Sequence, residues 1–272
     1  MPILLACGDE GLLEYRDRWT QVACPLACPS MLARGGGRLL VLDDREHLVW
    51  NGDRLFAVPA GVEAIACWQG DCLVLSGDTD CLTLLKADTG MPLVLAPVGV
   101  YPQELCLLPG RDAVAVCGGA DGLVRLLSLP ELRLQGLLRV PGNAQRIACQ
   151  GSWLCVLCAV EDDGLCCLAG RIPVVGGRYD PLLTLRGLPG AVRGDGHGGW
   201  WIAASECLCH LDAKGQVDRR MMGQGLIRHL DAVGQRLLVS DPVLGACTLV
   251  DAMGRQSAQV LYEGDVRHAL WL

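Results

Sequence analysis

The residues best suited to chemistry stand at the openings of short apolar segments that recur along the chain. Six openings carry charged or amide side chains: Glu63, Gln103, Glu104, Gln145, Arg146, Arg193, Arg228, His229, Arg267 and His268. Arginine is the side chain best shaped for bidentate capture of a carboxylate or phosphate. Histidine and glutamate commonly serve in general acid–base catalysis. We call this set the opening column, and it predicts an anion-binding or a catalytic site if the fold brings its members together.

The arginines of the opening column also have a structural interpretation. The apolar segments form repeating units, and an aspartate follows the second segment of most units. Each Arg or His could pair with a neighbouring carboxylate of this kind, such as Asp9 or Asp241. Removing an arginine from a buried pair of this kind would leave an uncompensated carboxylate and destabilise the protein. The sequence leaves both interpretations open.

Outside the opening column, no spacing indicates catalysis or metal binding. Cys155 and Cys158 are three residues apart on a strand and point to opposite faces, so their thiols diverge. Cys207 and Cys209 share a face, but a tetrahedral metal site needs further ligands. The glycine-rich stretch 194–199 lacks the following helix that a phosphate-cradling loop requires. We therefore predict no catalytic residues, no metal and no cofactor.

Acidic residues recur after the second strand of most repeating units, a pattern that could indicate calcium binding. Calcium needs several oxygens converging on one point, whereas aspartate side chains stabilise turns by bonding the local backbone. Turn stabilisation is the prediction for these residues: Asp9, Asp43, Asp44, Asp78, Asp121, Asp162, Glu206 and Asp241.

The elements that position the column are short strands. Between Gln103 and Arg139, four apolar runs are separated by turn residues: Leu105–Leu108, Ala113–Cys117, Leu123–Leu127 and Leu132–Leu138. Runs of this length with such breaks predict a four-stranded meander. Similar units recur at a period of roughly 40 residues, which is typical of repeat architectures. In the fifth unit, Gly170–Asp180 is expected to be a longer loop, either a binding loop or a tolerated insertion.

Seven units emerge only if the last strand, residues 267–272, is counted with the three strands between Ile3 and Cys24. An open array would leave exposed strand edges, which are an aggregation hazard, whereas this arrangement closes a ring. The sequence therefore predicts an all-β, seven-bladed β-propeller with four-stranded antiparallel blades, forming a single domain over residues 1–272.

Units such as LVLSGDTDCLTLLKADTG and LLVSDPVLGACTLVDAMG resemble YVTN-type repeats of the wider WD-repeat-like propeller superfamily. The Trp-Asp dipeptide of true WD repeats is absent. The resemblance implies that each first strand lines the central channel and opens on the face that carries the turns between second and third strands. The opening column would then surround one channel mouth.

Composition limits where the protein is expected to reside and which partners it is expected to bind. No apolar run approaches the roughly 18 residues of a membrane helix, and residues 1–9 lack a secretory signal, so we expect a cytoplasmic protein with no membrane partner. The 16 cysteines lie mainly in apolar strands and are expected to be reduced core thiols. A net charge of −7 argues against a nucleic-acid partner.

Two function classes remain. The first is a non-enzymatic binding or scaffold propeller that engages a protein or a small anionic ligand at the channel mouth. The alternative is a lactonase- or lyase-like enzyme with its active site at the same mouth. An enzyme should show a pocket of several hundred Å³ in which a histidine and a carboxylate converge, whereas a scaffold should show a filled or shallow channel.

Overall fold

The computed structural model describes residues 2–119, 121–161, 164–205, 207–222, 227–233, 236–251 and 258–272. Seven four-stranded antiparallel sheets surround a central channel as the blades of a propeller, which confirms the predicted fold. Blade 1 contains the first three strands and the last strand of the chain: β1 (Ile3–Ala6), β2 (Leu12–Tyr15), β3 (Trp19–Val22) and β28 (His268–Trp271). A short 3-10 helix, Gly8–Glu10, connects β1 to β2.

In blades 2 to 7 the strands run in chain order from the channel outwards. Blade 2 contains β4 (Met31–Gly35), β5 (Arg38–Asp43), β6 (Leu48–Trp50) and β7 (Leu55–Ala57). Blade 3 contains β8 (Val62–Trp68), β9 (Asp71–Ser76), β10 (Cys81–Leu85) and β11 (Pro92–Pro97). Blade 4 contains β12 (Pro102–Leu107), β13 (Ala113–Gly118), β14 (Leu123–Ser128) and β15 (Leu134–Arg139).

The remaining blades follow the same order. Blade 5 contains β16 (Asn143–Gln150), β17 (Trp153–Glu161), β18 (Leu165–Pro173) and β19 (Asp180–Arg186). Blade 6 contains β20 (Pro189–Gly194), β21 (Trp200–Ala204), β22 (Cys207–Leu211) and β23 (Val217–Met222). Blade 7 contains β24 (His229–Val233), β25 (Arg236–Asp241), β26 (Ala246–Asp251) and β27 (Ala258–Glu263). Within the described residues, no helix is long and apolar enough to cross a bilayer.

The C-terminal strand closes the ring as predicted. β28 pairs antiparallel with β1, with Ile3 opposite Trp271 and Ala6 opposite His268. The strand is slightly shorter than the predicted 267–272, but both flanking residues still bond to the chain beside it. The Arg267 N–H donates to the Ala6 carbonyl at 2.9 Å, and the Leu272 N–H donates to the Pro2 carbonyl at 3.0 Å. The C-terminal strand thus becomes the inner strand of blade 1 and covers the edge of β1.

The core lies between adjacent blades, where apolar sheet faces pack together. The second strands are the most buried elements, and every residue of β13 is buried. Cys158 packs in the cluster between blades 4 and 5, and Cys155 packs in the cluster between blades 5 and 6. This confirms that the two thiols diverge. Cys207 and Cys209 share a face, with their sulfurs 3.3 Å apart. No disulfide joins any of the sixteen cysteines, all of which lie in the described residues, and most of them are buried.

Blade 5 corrects the loop expected at Gly170–Asp180. Residues 170–173 continue β18, Asp180 begins β19, and only 174–179 connect them. The Tyr179 hydroxyl donates to the carbonyls of Val156 at 3.2 Å and Leu168 at 3.1 Å, so its ring folds back onto the sheet. A Cβ at Gly170 would lie 2.4 Å from this ring. The insertion is therefore mainly a strand extension stabilised by Tyr179.

Three of the predicted acidic residues, Asp43, Asp121 and Asp241, bond to the backbone of their own turns. The Asp43 carboxylate accepts the N–H groups of Arg45 at 3.1 Å and Cys28 at 2.7 Å. The Asp241 carboxylate accepts those of Val243 and Leu244, both at 2.9 Å. These bonds satisfy turn donors that would otherwise lack a partner. Two members of the predicted set lie outside the described residues: Asp162 and Glu206.

Candidate functional site

The openings of the inner strands line a cavity of about 790 Å³ at one end of the channel, which we call the mouth. Eight members of the opening column line it: Glu63, Gln103, Glu104, Arg146, Arg228, His229, Arg267 and His268. The adjoining channel section has a volume of about 530 Å³, and Arg193 lines it together with Glu104, Arg228 and both histidines. Gln145 lines neither section. The fold thus brings nine of the ten column residues to one channel, and their binding role stays a prediction.

A β-bulge at the start of several inner strands orients the side chains of the opening column towards the mouth. The pairing register shifts between Val62 and Ala64, Pro102 and Glu104, Ala144 and Arg146, and Pro189 and Ala191. A bulge sets two residues against one on the partner strand and redirects side chains. Consecutive polar residues such as Gln103 and Glu104 therefore both reach the mouth. Sequence reasoning missed these bulges, although the prolines at two of them signal irregular pairing.

Two arginines of the column are paired with carboxylates. The Arg193 guanidinium lies 2.9 Å from Asp231, whose other oxygen accepts the Trp271 N–H at 2.9 Å. The Arg267 guanidinium lies 3.1 Å from Asp265. The structural interpretation is right for these two residues, but with different partners than the turn aspartates. Asp9 pairs instead with Arg45 at 2.9 Å.

The other two arginines lack a carboxylate partner. Within the described part of the chain, neither Arg146 nor Arg228 lies within 4 Å of an acidic oxygen. Arg146 donates to the carbonyls of Gly190 and Gln145, both at 2.8 Å, which fixes its guanidinium between blades 5 and 6. Burial and the Arg146 charge lower the pKa of Arg228. Because an arginine stays protonated at neutral pH, two positive charges without a direct ion pair line the mouth.

The two glutamates of the mouth lie on blades 3 and 4, and Asp44 and Asp265 also line the cavity. Burial raises the pKa of Glu104, while Arg146 and the backbone of Ile147 act in the opposite direction. The Ile147 N–H donates to the Glu104 carboxylate at 3.1 Å, so Glu104 bridges two neighbouring inner strands. Burial also raises the pKa of Glu63, against the field of Arg146. The two glutamates therefore occupy one arc of the mouth, while Asp265 lies on the arginine side as the partner of Arg267.

Two histidines stack beside the arginines. The rings of His229 and His268 are 4.1 Å apart between centroids and 7° from parallel, and His268 Nδ1 accepts the Leu32 N–H at 3.2 Å. Burial and Arg193 lower the pKa of His268 to about 4. Burial, His268 and the arginines lower that of His229 well below its usual value. Both imidazoles are neutral at pH 7, and within the described residues neither hydrogen-bonds to a carboxylate.

A separate acidic–histidine cluster lies at the glycine-rich stretch 194–199. His210 contacts Asp218 at 2.7 Å through Nδ1 and Asp195 at 3.1 Å through Nε2. Asp195 also accepts the N–H groups of His197 at 2.6 Å and Gly199 at 2.9 Å. The stretch is thus a turn organised around one carboxylate, as predicted. Sequence reasoning missed the role of His210 because Asp195 lies in the connection between β20 and β21, whereas Asp218 lies on β23.

Comparison with known proteins identifies the fold alone. No family model and no curated protein sequence matches the chain. A protein from Lactobacillus plantarum superposes with a TM-score of 0.75 and 13% identity over 100% of this chain and 99% of that one. Hydrazine synthase from Kuenenia stuttgartiensis superposes with a TM-score of 0.71 and 12% identity, over 88% of this chain and 80% of that one. Virginiamycin B lyase from Staphylococcus aureus superposes with a TM-score of 0.68 and 12% identity, over 88% of this chain and 91% of that one.

Proposed function

We propose that this protein is a binding propeller whose mouth takes a small anionic ligand carrying a carboxylate or phosphate group. The observation that carries the proposal is the pair Arg146 and Arg228, two guanidinium groups at an open cavity with no carboxylate partner among the described residues. Unpaired charges in a partly buried site are costly. A bound anion would remove that cost.

The environment favours anion capture despite the acidic net charge. Clefts with low-dielectric walls focus the field of the charges that line them, so the local potential follows Arg146 and Arg228 rather than the whole chain. Planar guanidinium groups bind carboxylate and phosphate through two parallel hydrogen bonds. Arg146 is held in place by two backbone carbonyls, which reduces the entropy lost when a ligand binds.

The size of the cavity favours a small molecule over a protein loop or a filled scaffold channel. A volume of about 790 Å³ lies in the range of roughly 300–1,000 Å³ that small-molecule sites occupy. The stacked, neutral imidazoles of His229 and His268 offer uncharged hydrogen-bonding groups beside the arginines. The carboxylates of Glu63 and Glu104 on the opposite arc would repel a second anionic group and favour a ligand with a hydroxyl or cationic end.

An enzyme is the second candidate, since the open cavity and two neutral histidines meet part of its expected pattern. Among the described residues, neither His229 nor His268 hydrogen-bonds to a carboxylate at the mouth, so the binding protein ranks first. The similarity to a lyase concerns the fold, and one propeller fold hosts many functions. A catalytic role would require that His229→Gln abolish turnover of a bound anion while leaving its affinity nearly unchanged.

Titration calorimetry with citrate and with inorganic phosphate tests the proposal. Arg228→Gln removes one charge without removing a carboxylate partner, and we expect about tenfold weaker binding or more, the value of one charge-assisted hydrogen bond. Arg18→Gln is the matched control, because Arg18 is an exposed arginine on the connection between β2 and β3. Equal affinities for wild type and Arg228→Gln would refute the site, as would the absence of binding for both anions at millimolar concentrations.

A further inference from the structure

A pair of cysteines faces the channel from neighbouring blades. Cys106 lies on β12 and Cys149 on β16, and both line the channel section below the mouth. The hydrogen bond from the Ile147 N–H to Glu104 sets the alignment of these two inner strands. Both strands leave the mouth in the same direction, so two residues further along Cys106 lies beside Cys149. Both are half-buried, whereas most cysteines of the chain are fully buried.

The two thiols influence each other, and each also donates to a backbone carbonyl: Cys106 to Leu107 at 3.5 Å and Cys149 to Gly151 at 3.7 Å. The neighbouring Cys106 thiol and the charge of Arg111 lower the pKa of Cys149, although burial opposes this. The neighbouring Cys149 thiol and burial raise the pKa of Cys106 well above its usual value. Fully buried thiols behave differently, since burial raises the pKa of Cys117 and Cys155. Thiolate character and solvent access together determine cysteine reactivity, and Cys149 has both.

We propose that Cys106 and Cys149 form a channel-accessible redox pair that reacts with low-molecular-mass disulfides. The Cys149 thiolate attacks one sulfur of a disulfide RSSR, forming a mixed Cys149–SR disulfide and releasing RS⁻. Cys106 then loses its proton to solvent and attacks the Cys149 sulfur, releasing the second RS⁻. The protein loses two electrons and two protons, and the small disulfide is reduced to two RSH. The product is a Cys106–Cys149 disulfide that joins blades 4 and 5.

This site does not depend on the proposed anion site, so the probe is an uncharged disulfide. Dithiodipyridine is neutral at pH 7 and releases a chromophoric thiopyridone for each sulfur displaced. In native buffer we expect a fast phase that releases two thiopyridones per chain. The other half-buried thiols, Cys24, Cys81 and Cys166, react in a slower phase, and the fully buried ones react only in denaturant. After the fast phase, mass spectrometry should find a Cys106–Cys149 disulfide with no pyridyl adduct.

Three variants separate the roles. Cys149→Ser should slow the initial release about tenfold or more, because the remaining accessible thiols lack a stabilised thiolate. Cys106→Ser should release one thiopyridone in the fast phase and keep a pyridyl adduct on Cys149. Cys81→Ser is the control and should leave the fast phase unchanged. The proposal is overturned if the fast phase persists in Cys149→Ser, or if wild type retains the adduct or forms a disulfide between other cysteines.

Discussion

Truncating the arginines of the mouth one at a time separates structural from ligand-binding charge. Arg193→Ala leaves Asp231, whose side chain is only 8% exposed, without its 2.9 Å ion pair. Breaking a fully buried pair costs about 3–5 kcal/mol, but the Arg193 side chain is 50% exposed and Asp231 keeps the Trp271 N–H. We therefore expect a loss of about 1–2 kcal/mol in the free energy of unfolding.

Arg228→Ala should behave differently, because no carboxylate in the described residues depends on it. Truncation also removes repulsion with Arg146, the charge that helps lower the pKa of Arg228. We expect the free energy of unfolding to change by no more than about 0.5 kcal/mol, as for substitutions without a structural partner. For a chain of this size, the Arg193→Ala loss corresponds to a decrease in Tm of about 2–8 °C.

Urea unfolding followed by circular dichroism, with linear extrapolation to water, measures both effects. A double-mutant cycle of Arg193→Ala with Asp231→Asn isolates the pair, and the coupling energy should be about 1 kcal/mol. If Arg228→Ala destabilises the protein as much as Arg193→Ala, Arg228 has a structural partner and is not available to a ligand. A coupling energy near zero would refute the structural assignment of Arg193.

Two further predictions concern closure and pH. Deleting residues 267–272 should give an insoluble or molten protein, because it exposes the edge of β1 and removes Trp271, which is 5% exposed. Losing one such side chain costs about 3–5 kcal/mol, out of a typical free energy of unfolding of about 5–15 kcal/mol. A soluble monomer with unchanged Tm would contradict ring closure. The folded state lowers the pKa of His268 from 6.5 to about 4, so the unfolded chain binds a proton at a higher pH than the folded protein does. The free energy of unfolding is therefore highest above pH 6.5 and falls by about 3 kcal/mol as the pH drops from 6.5 to 4. His268→Asn should flatten this part of the stability–pH curve, and an identical curve for both proteins would contradict the neutral imidazole.

The sequence determined the architecture because propeller signals are local. Apolar runs such as Ala113–Cys117, bounded by glycine and proline turns, specify strands over a few residues. Their repetition along the chain predicts blades. Ring closure also follows from the sequence, since the strand near Arg267 completes a unit that Ile3–Cys24 leaves one strand short. Placing the opening column at one mouth required only the resemblance to known propellers, and the structure brings nine of its ten members to the channel.

Only the tertiary structure decided which charges are free and which are paired. Arg193 and Asp231 are 38 residues apart and belong to different blades, so no local pattern joins them. The bulge that orients Gln103 and Glu104 depends on pairing with β13, and the placement of Cys106 beside Cys149 depends on how two blades align. The chain encodes six of the seven blades in consecutive residues, but the chemistry of the channel arises between blades, where residues far apart in the sequence meet.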